Sequence, residues 1–331
     1  MRALRVALVL VGFALLAAMI AWNDPAAILA SIRRLGWGLL LIIVFPATLV
    51  MVFDTLGWRF AFERDRVPFP LLVTVRAAGE AFNMATPTAA LGGEAVKAWL
   101  LRGTVPLEES LPSVIVAKTT ITIAQGLFLL IGVAMAWTSA MPDSTLLRAM
   151  QWLLVIEALG LAGFVVGQTG GLLARFERLI DRIGLHPGRG RGVLGRVDDV
   201  LARFYRERPG RLTLSIGFHL IAWLLGVIET YLILHLLEIP VSLTTATLIE
   251  AFGAAIKFAT FLIPASLGAL EGGYAATFAA LGLAASTGVS FSLVRRVREA
   301  AWIAVGLLAF ALMRPRTARA PARRGPAGWR P

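Results

Sequence analysis

Cysteine is absent from all 331 residues, which excludes disulfides, thiolate metal sites and cysteine nucleophiles. Histidine is nearly absent too, with His186, His219 and His235 the whole supply. His219, Glu229 and His235 share one apolar segment, but their spacings of ten and six do not gather them on one helix face. No metal and no cofactor is therefore expected. A glycine-rich phosphate loop, an HExxH helix and a Gly-x-Ser-x-Gly elbow are also missing. Acidic residues are scarce, 20 against 32 basic ones, for a net charge of +12. The excess lies mostly in loops, where the positive-inside rule accounts for it without a nucleic-acid partner. No stretch between the apolar runs reaches the ~50 residues of an independent soluble domain.

What the chain has in quantity is apolar residues, 58% of it, with a mean hydropathy of +0.77. That composition marks an all-α polytopic membrane protein. About 20 apolar residues cross a bilayer as a helix. By that measure full spans are expected near 4–22, 37–61, 113–137, 145–168, 211–237 and 291–313. The first run starts like a signal sequence but lacks an Ala-x-Ala site, so an uncleaved span is expected.

Between these spans one pattern is written twice: Glu80 to Glu94, EAFNMATPTAALGGE, and Lys257 to Glu271, KFATFLIPASLGALE. In each copy a charged residue stands seven positions before a proline (Pro87, Pro264), and a glutamate follows seven positions after it. Proline removes an N–H and clashes with the preceding turn, so each copy reads as helix, break, helix. The broken pairs cover roughly 70–102 and 244–286, either crossing fully or dipping in as hairpins. Both return to the side they left. The expected fold is thus about six full spans plus two proline-broken helical hairpins, with repeat one near 37–168 and repeat two near 211–313.

Loop charge gives the orientation. Arg2 and Arg5, then Arg59, Arg64, Arg66 and Arg76, then ten arginines in the linker 170–210 and its end at Arg211, then six arginines in the tail 314–331 all fall on one side of this count. That side is cytoplasmic, with both termini on it. The hairpins then enter from opposite faces, which makes an inverted repeat of the alternating-access kind. In the linker, VLGRVDDVLARFYRER at 193–208 has helical apolar spacing, suiting a helix on the inner leaflet or an ordinary loop helix. The tail is expected to be disordered.

Ionisable groups in apolar spans are costly, so each is a binding candidate. In the first copy these are Glu80, Asn83, Glu94, Lys97 and Arg102, with Lys118 in the next span. In the second they are Glu250, Lys257 and Glu271, with Lys257 and Glu271 placed to pair across the break. Arg295, Arg296 and Arg298 sit where arginine is disfavoured and suit a phosphate headgroup. The restarting helices present N–H groups at membrane depth, which favour anions. The break glycines Gly92, Gly93, Gly268 and Gly272, with Gly273, allow close backbone approach. Mutual neutralisation and packing would place the same residues in the same positions.

The segments GGEAVKAWLLRG at 92–103, PASLGALEGGYAATFAALGL at 264–283 and LGWRFAF at 56–62 resemble the flippase-like membrane domain of lysylphosphatidylglycerol synthases, over roughly residues 5 to 313. The resemblance carries over Glu94, Lys97, Arg102, Pro264, Gly268 and Glu271. It implies a lipid translocator (flippase or scramblase) in a bacterial inner membrane, acting on an anionic or phosphate-bearing lipid. The chain ends about 18 residues after the last span, so the lysyl-transferase domain of two-domain members is not expected. A hopanoid-associated stand-alone member is one subgroup this implies. A membrane-embedded lipid-modifying enzyme and a non-catalytic partner of a lipid-synthesis enzyme are the alternatives.

Overall fold

A computed structural model describes residues 33, 35–85, 92–138, 145–171, 175, 193–260, 266 and 268–313. The first expected span, both prolines Pro87 and Pro264, and the tail lie outside the described residues.

The described chain is helical: α1 (Gly38–Phe60), α2 (Phe69–Ala85), α3 (Gly92–Leu101), α4 (Leu107–Thr138), α5 (Thr145–Thr169), α6 (Val193–Glu207), α7 (Pro209–Leu236), α8 (Leu243–Ala259), α9 (Ala269–Ala280) and α10 (Ala285–Leu312). Four of these, α1, α4, α5 and α7, are long and apolar enough to cross a bilayer. α10 has 28 residues, as many as α7, but carries Arg295, Arg296, Arg298 and Glu299 in its middle, so it falls outside that group. It also begins at Ala285 rather than near 291.

Local sequence sets several ends. Pro209 opens α7, where its missing N–H costs nothing. Ser242 caps α8 by accepting the N–H of Thr245 at 3.1 Å. Gly268, at φ +76, turns the chain into α9, a conformation that strains any residue with a Cβ.

Each broken pair is a hairpin: α3 folds back on α2, and α9 on α8. The returning arms have 10 and 12 residues, about 15 and 18 Å of helix. That is roughly half of a ~30 Å hydrocarbon core.

α1 and α7 form the central pair and run antiparallel. At one end Gly38 of α1 abuts the side chain of Leu236 of α7. At the other, Arg211 of α7 donates to the Arg59 carbonyl at 2.8 Å and to Asp65 at 2.7 Å. Partial burial opposes ionisation of Asp65, but the hydrogen bond and charge of Arg211, with Arg59 beside it, outweigh this and hold the carboxyl below its usual range. This tie is therefore intact at neutral pH and weakens as acid protonates Asp65. The α2/α3 hairpin follows the Arg59 end of the pair, and the α8/α9 hairpin follows the Leu236 end. Each hairpin packs on the long helix of the other half, α2 against α10 and α8 against α4. Small residues make these crossings, with Gly306 on Ala77 and Ala81 and Gly132 on Ala251.

The amphipathic helix α6 has a different place from the leaflet surface. Val197, Leu201 and Phe204 are buried with Trp58, Phe62 and Leu72 of α1, its following loop and α2. Its apolar face covers the bundle rather than lipid, because the α1–α2 loop and the start of α4 leave an apolar surface there to be filled.

Backbone approach is closest at the first hairpin. A Cβ on Gly93 would land on the carbonyl oxygen of Gly79 and within 2.5 Å of the Asn83 amide. Backbone cannot rotate away, so α2 and α3 would have to separate. Gly93→Ala is expected to lower stability by about 1–3 kcal/mol. Gly163→Ala on α5, where a Cβ meets nothing, should leave stability unchanged or raise it by up to about 1 kcal/mol. Thermal unfolding of the two purified variants checks this, and equal shifts would contradict the packing account.

Candidate functional site

Apolar helices bring a set of charges to the bundle interior, in two networks. The first starts from Asp54, a carboxylate inside the otherwise apolar α1. Arg76 of α2 donates to its Oδ2 at 2.8 Å and lies 3.7 Å from Glu80, one turn on. Lys97 of α3 donates to Glu80 at 2.7 Å and to Glu94 at 3.0 Å. Asn83 joins the hairpin arms, donating to Glu94 at 3.0 Å and accepting the N–H of Gly93 at 2.8 Å. On the far side of Asp54 its Oδ1 meets Nδ1 of His219 at 2.7 Å, which ties α7 to α1. His219 is fully buried and its Nε2 has no partner among the described residues.

The second network is held by α7 to α10. Arg295 grips Glu250 in a fork, 2.7 and 3.0 Å, and also donates to the Tyr274 hydroxyl at 2.8 Å. Thr230 donates to the same carboxylate at 2.7 Å. Arg298 pairs with Glu229 at 2.7 Å. Arg296 bridges Glu271 at 2.8 Å and Glu299 at 3.1 Å, while Lys257 reaches Glu299 at 3.3 Å. Two-pronged arginine–carboxylate contacts are the strong kind, and desolvation makes each partner depend on the other.

A cavity of about 280 Å³ separates the two networks. From the first half Asp54, Arg76, Glu80, Glu94, Lys97 and Lys118 line it; from the second come Glu229, Glu250, Lys257, Arg295 and Arg298. Trp58, Met84, Ile121 and Trp223 supply apolar wall. Of the cations, Lys118 has no hydrogen bond or ion pair from its ammonium among the described residues. A second cleft of about 130 Å³ shares Val50, Asp54, Arg76, Glu80, Met84 and Arg298 with the first. It continues between α1, α2 and α10 past Ala47, Met51, Ala81 and Trp302.

The sequence-expected residues are thus gathered unevenly. Glu80, Glu94, Lys97, Lys118, Lys257, Arg295 and Arg298 line the cavity, and Asn83 supports it from behind. Arg102 does not reach it and stacks on Trp99, 4.5 Å from the ring centre. Glu271 and Arg296 sit outside the cavity wall, bonded to each other. Three expectations need correcting. Lys257 and Glu271 do not pair across the break, because α10 inserts Glu299 and Arg296 as nearer partners for each. Arg76 is a buried residue of α2, not a loop charge. Among the glycines, Gly93 and Gly273 make close approaches, but Gly272 faces open space and Gly268 serves its turn; the N–H of Gly93 is already taken by Asn83. Sequence reasoning missed Asp54, Arg76, His219 and Glu229 as site residues and left Glu250 without a role. Their signal was the same ionisable-in-apolar rule, which reached the two motif copies, Lys118 and the arginines at 295–298 but not α1 or α7. Among the described residues no group of His, Asp and Glu is arranged to hold a metal ion.

The model of the lysylphosphatidylglycerol synthase TM region family matches residues 6–309. The chain belongs to that family. No curated protein and no solved structure matches it. Membership in the lysylphosphatidylglycerol synthase TM region family agrees with an apolar helical bundle related to membrane-lipid metabolism, and both networks fall wholly inside the matched segment.

Proposed function

We propose that this protein is a lipid translocator, moving a phosphate-bearing lipid between leaflets of an inner membrane whose cytoplasmic side holds both termini. One observation carries the reading: a cavity lined by charges from both halves of the chain, enclosed by apolar helices. Charge in that setting is expensive, and a headgroup passing through gives it a purpose beyond mutual neutralisation. Lys118 and the half-buried Lys257 are the cations best placed to take a phosphate; the carboxylates around them would receive an amine or exclude a bare anion. The adjoining cleft, charged at its inner end and apolar toward Ala47 and Trp302, gives a tail a way to stay in lipid while the headgroup is inside.

The antiparallel α1 and α7, each followed by a hairpin at its own end, support an inverted repeat in which the two hairpins approach from opposite faces. Alternating opening of the cavity follows from such symmetry. The test is purified protein in liposomes carrying a panel of fluorescent phospholipids, with a membrane-impermeant quencher reporting the outer leaflet. Movement of at least one phosphate-bearing lipid faster than in protein-free liposomes is expected. A panel in which nothing moves overturns the reading.

A further inference from the structure

Glu157 stands apart from both networks. It lies on α5, where Trp152, Ile156 and Leu159 are exposed on the outer side while Glu157 is 2% exposed. Its carboxyl lies against α4 at Gly126, where an added Cβ would stand 4.0 Å from the Glu157 Cδ. Neither carboxyl oxygen has a hydrogen-bond partner among the described residues. The charged groups of the surrounding helices are engaged elsewhere. On α4 the nearest cation in sequence, Lys118, faces the cavity about 12 Å of helix away from Gly126. On α8, Glu250 and Lys257 belong to Arg295 and Glu299. On α6, Asp198 approaches Gly171, at the far end of α5. On α5 itself Arg148 is exposed, more than two turns from Glu157.

An ionised carboxylate with no counter-charge and no donor does not persist at membrane depth, whereas the neutral acid does. We propose that Glu157 is a proton-binding site inside the membrane, neutral while α4 and α5 are packed together and able to release its proton only when their contact opens. α4 gives this site something to report on. The same helix places Lys118 in the cavity and, through Gln125, donates to the carbonyl of Ala254 in the second hairpin at 3.3 Å. Rearranging α4 therefore changes the solvation of Glu157, and with it one bound proton. The site itself does not line the cavity and is coupled to it only through α4.

The probe is a hydrophobic carbodiimide, dicyclohexylcarbodiimide, applied to the full chain in liposomes. A protonated carboxyl adds its O–H across one C=N bond, giving an O-acylisourea that rearranges to a stable N-acylurea; an ionised, paired carboxylate does not. Peptide mapping of the wild-type protein is expected to place the adduct on Glu157, forming on the order of tenfold faster near about pH 6 than near about pH 9. Glu157→Gln should lack it. Adducts on Glu229 or Glu250 with none on Glu157, or a Glu157 rate that ignores pH, would overturn the proposal. Mapping on the wild type decides the matter even where the glutamine variant fails to fold, and neither result depends on lipid movement.

Discussion

Glu250→Leu is expected to destabilise the protein by about 3–5 kcal/mol, the cost of leaving a buried charge without its partner. Arg295 would lose both prongs of its fork and keep only the Tyr274 hydroxyl and Glu229, whose nearer oxygen is 3.6 Å from its Nε. Thr230 would lose its acceptor as well. The pair joins α8 to α10, and Tyr274 adds α9, so the damage falls on the whole second half. Adding Arg295→Met removes the stranded charge. The double variant should be more stable than Glu250→Leu alone, since apolar groups of similar volume often replace a buried ion pair at little cost. Thermal unfolding of the two proteins in one detergent measures the difference. A double variant at least as unstable as the single one would mean that the fork acts through packing rather than charge.

The same pair shows where the sequence stopped being legible. The long apolar runs of α1, α4, α5 and α7 are written plainly, because crossing hydrocarbon requires unbroken apolar length, and their ends fall within a few residues of the expected ones apart from the start of α4. α10 is harder. Its first residues, ASTGVS at 285–290, are small and only weakly apolar, so a hydropathy window starts late, at 291, and no window can see that Glu229, Glu250 and Glu271 pair with the central arginines from three other helices. The doubled proline pattern located both hairpins and drew attention to Glu80, Glu94, Lys97 and Lys257. Pairing within a motif then failed for Lys257 and Glu271, because ion pairs are chosen by what packs alongside, and here α10 packs closer than the other arm of the hairpin. Asp54 and Arg76 were passed over for a related reason: an isolated aspartate in a span, and an arginine next to loop arginines, show their meaning only when α1, α2 and α7 are assembled.

Lys118 and Lys97 line the same cavity yet are expected to respond differently to loss of charge. Lys97 is a structural cation: two carboxylates, Glu80 and Glu94, converge on it, and it is buried. Lys97→Met takes the shared ammonium from both acids, so it should lower stability by several kcal/mol, about the cost of breaking a buried pair. Loss of lipid movement in that variant would say little about binding. The Lys118 ammonium makes no hydrogen bond or close ion pair among the described residues, and its charge reaches Glu80 only from farther off. Lys118→Met should leave unfolding within about 0.5 kcal/mol of wild type. If the ammonium takes a headgroup phosphate, the lost charge-assisted bond should weaken lipid binding by about tenfold or more, from ~1.5–3 kcal/mol. Lys118→Arg keeps a charge and should keep most of the binding. The decisive measurements are half-saturating lipid concentration and unfolding temperature for all three proteins. Normal binding in Lys118→Met would remove Lys118 from the proposed headgroup site, and a stability loss as large as that of Lys97→Met would show that Lys118 too is structural.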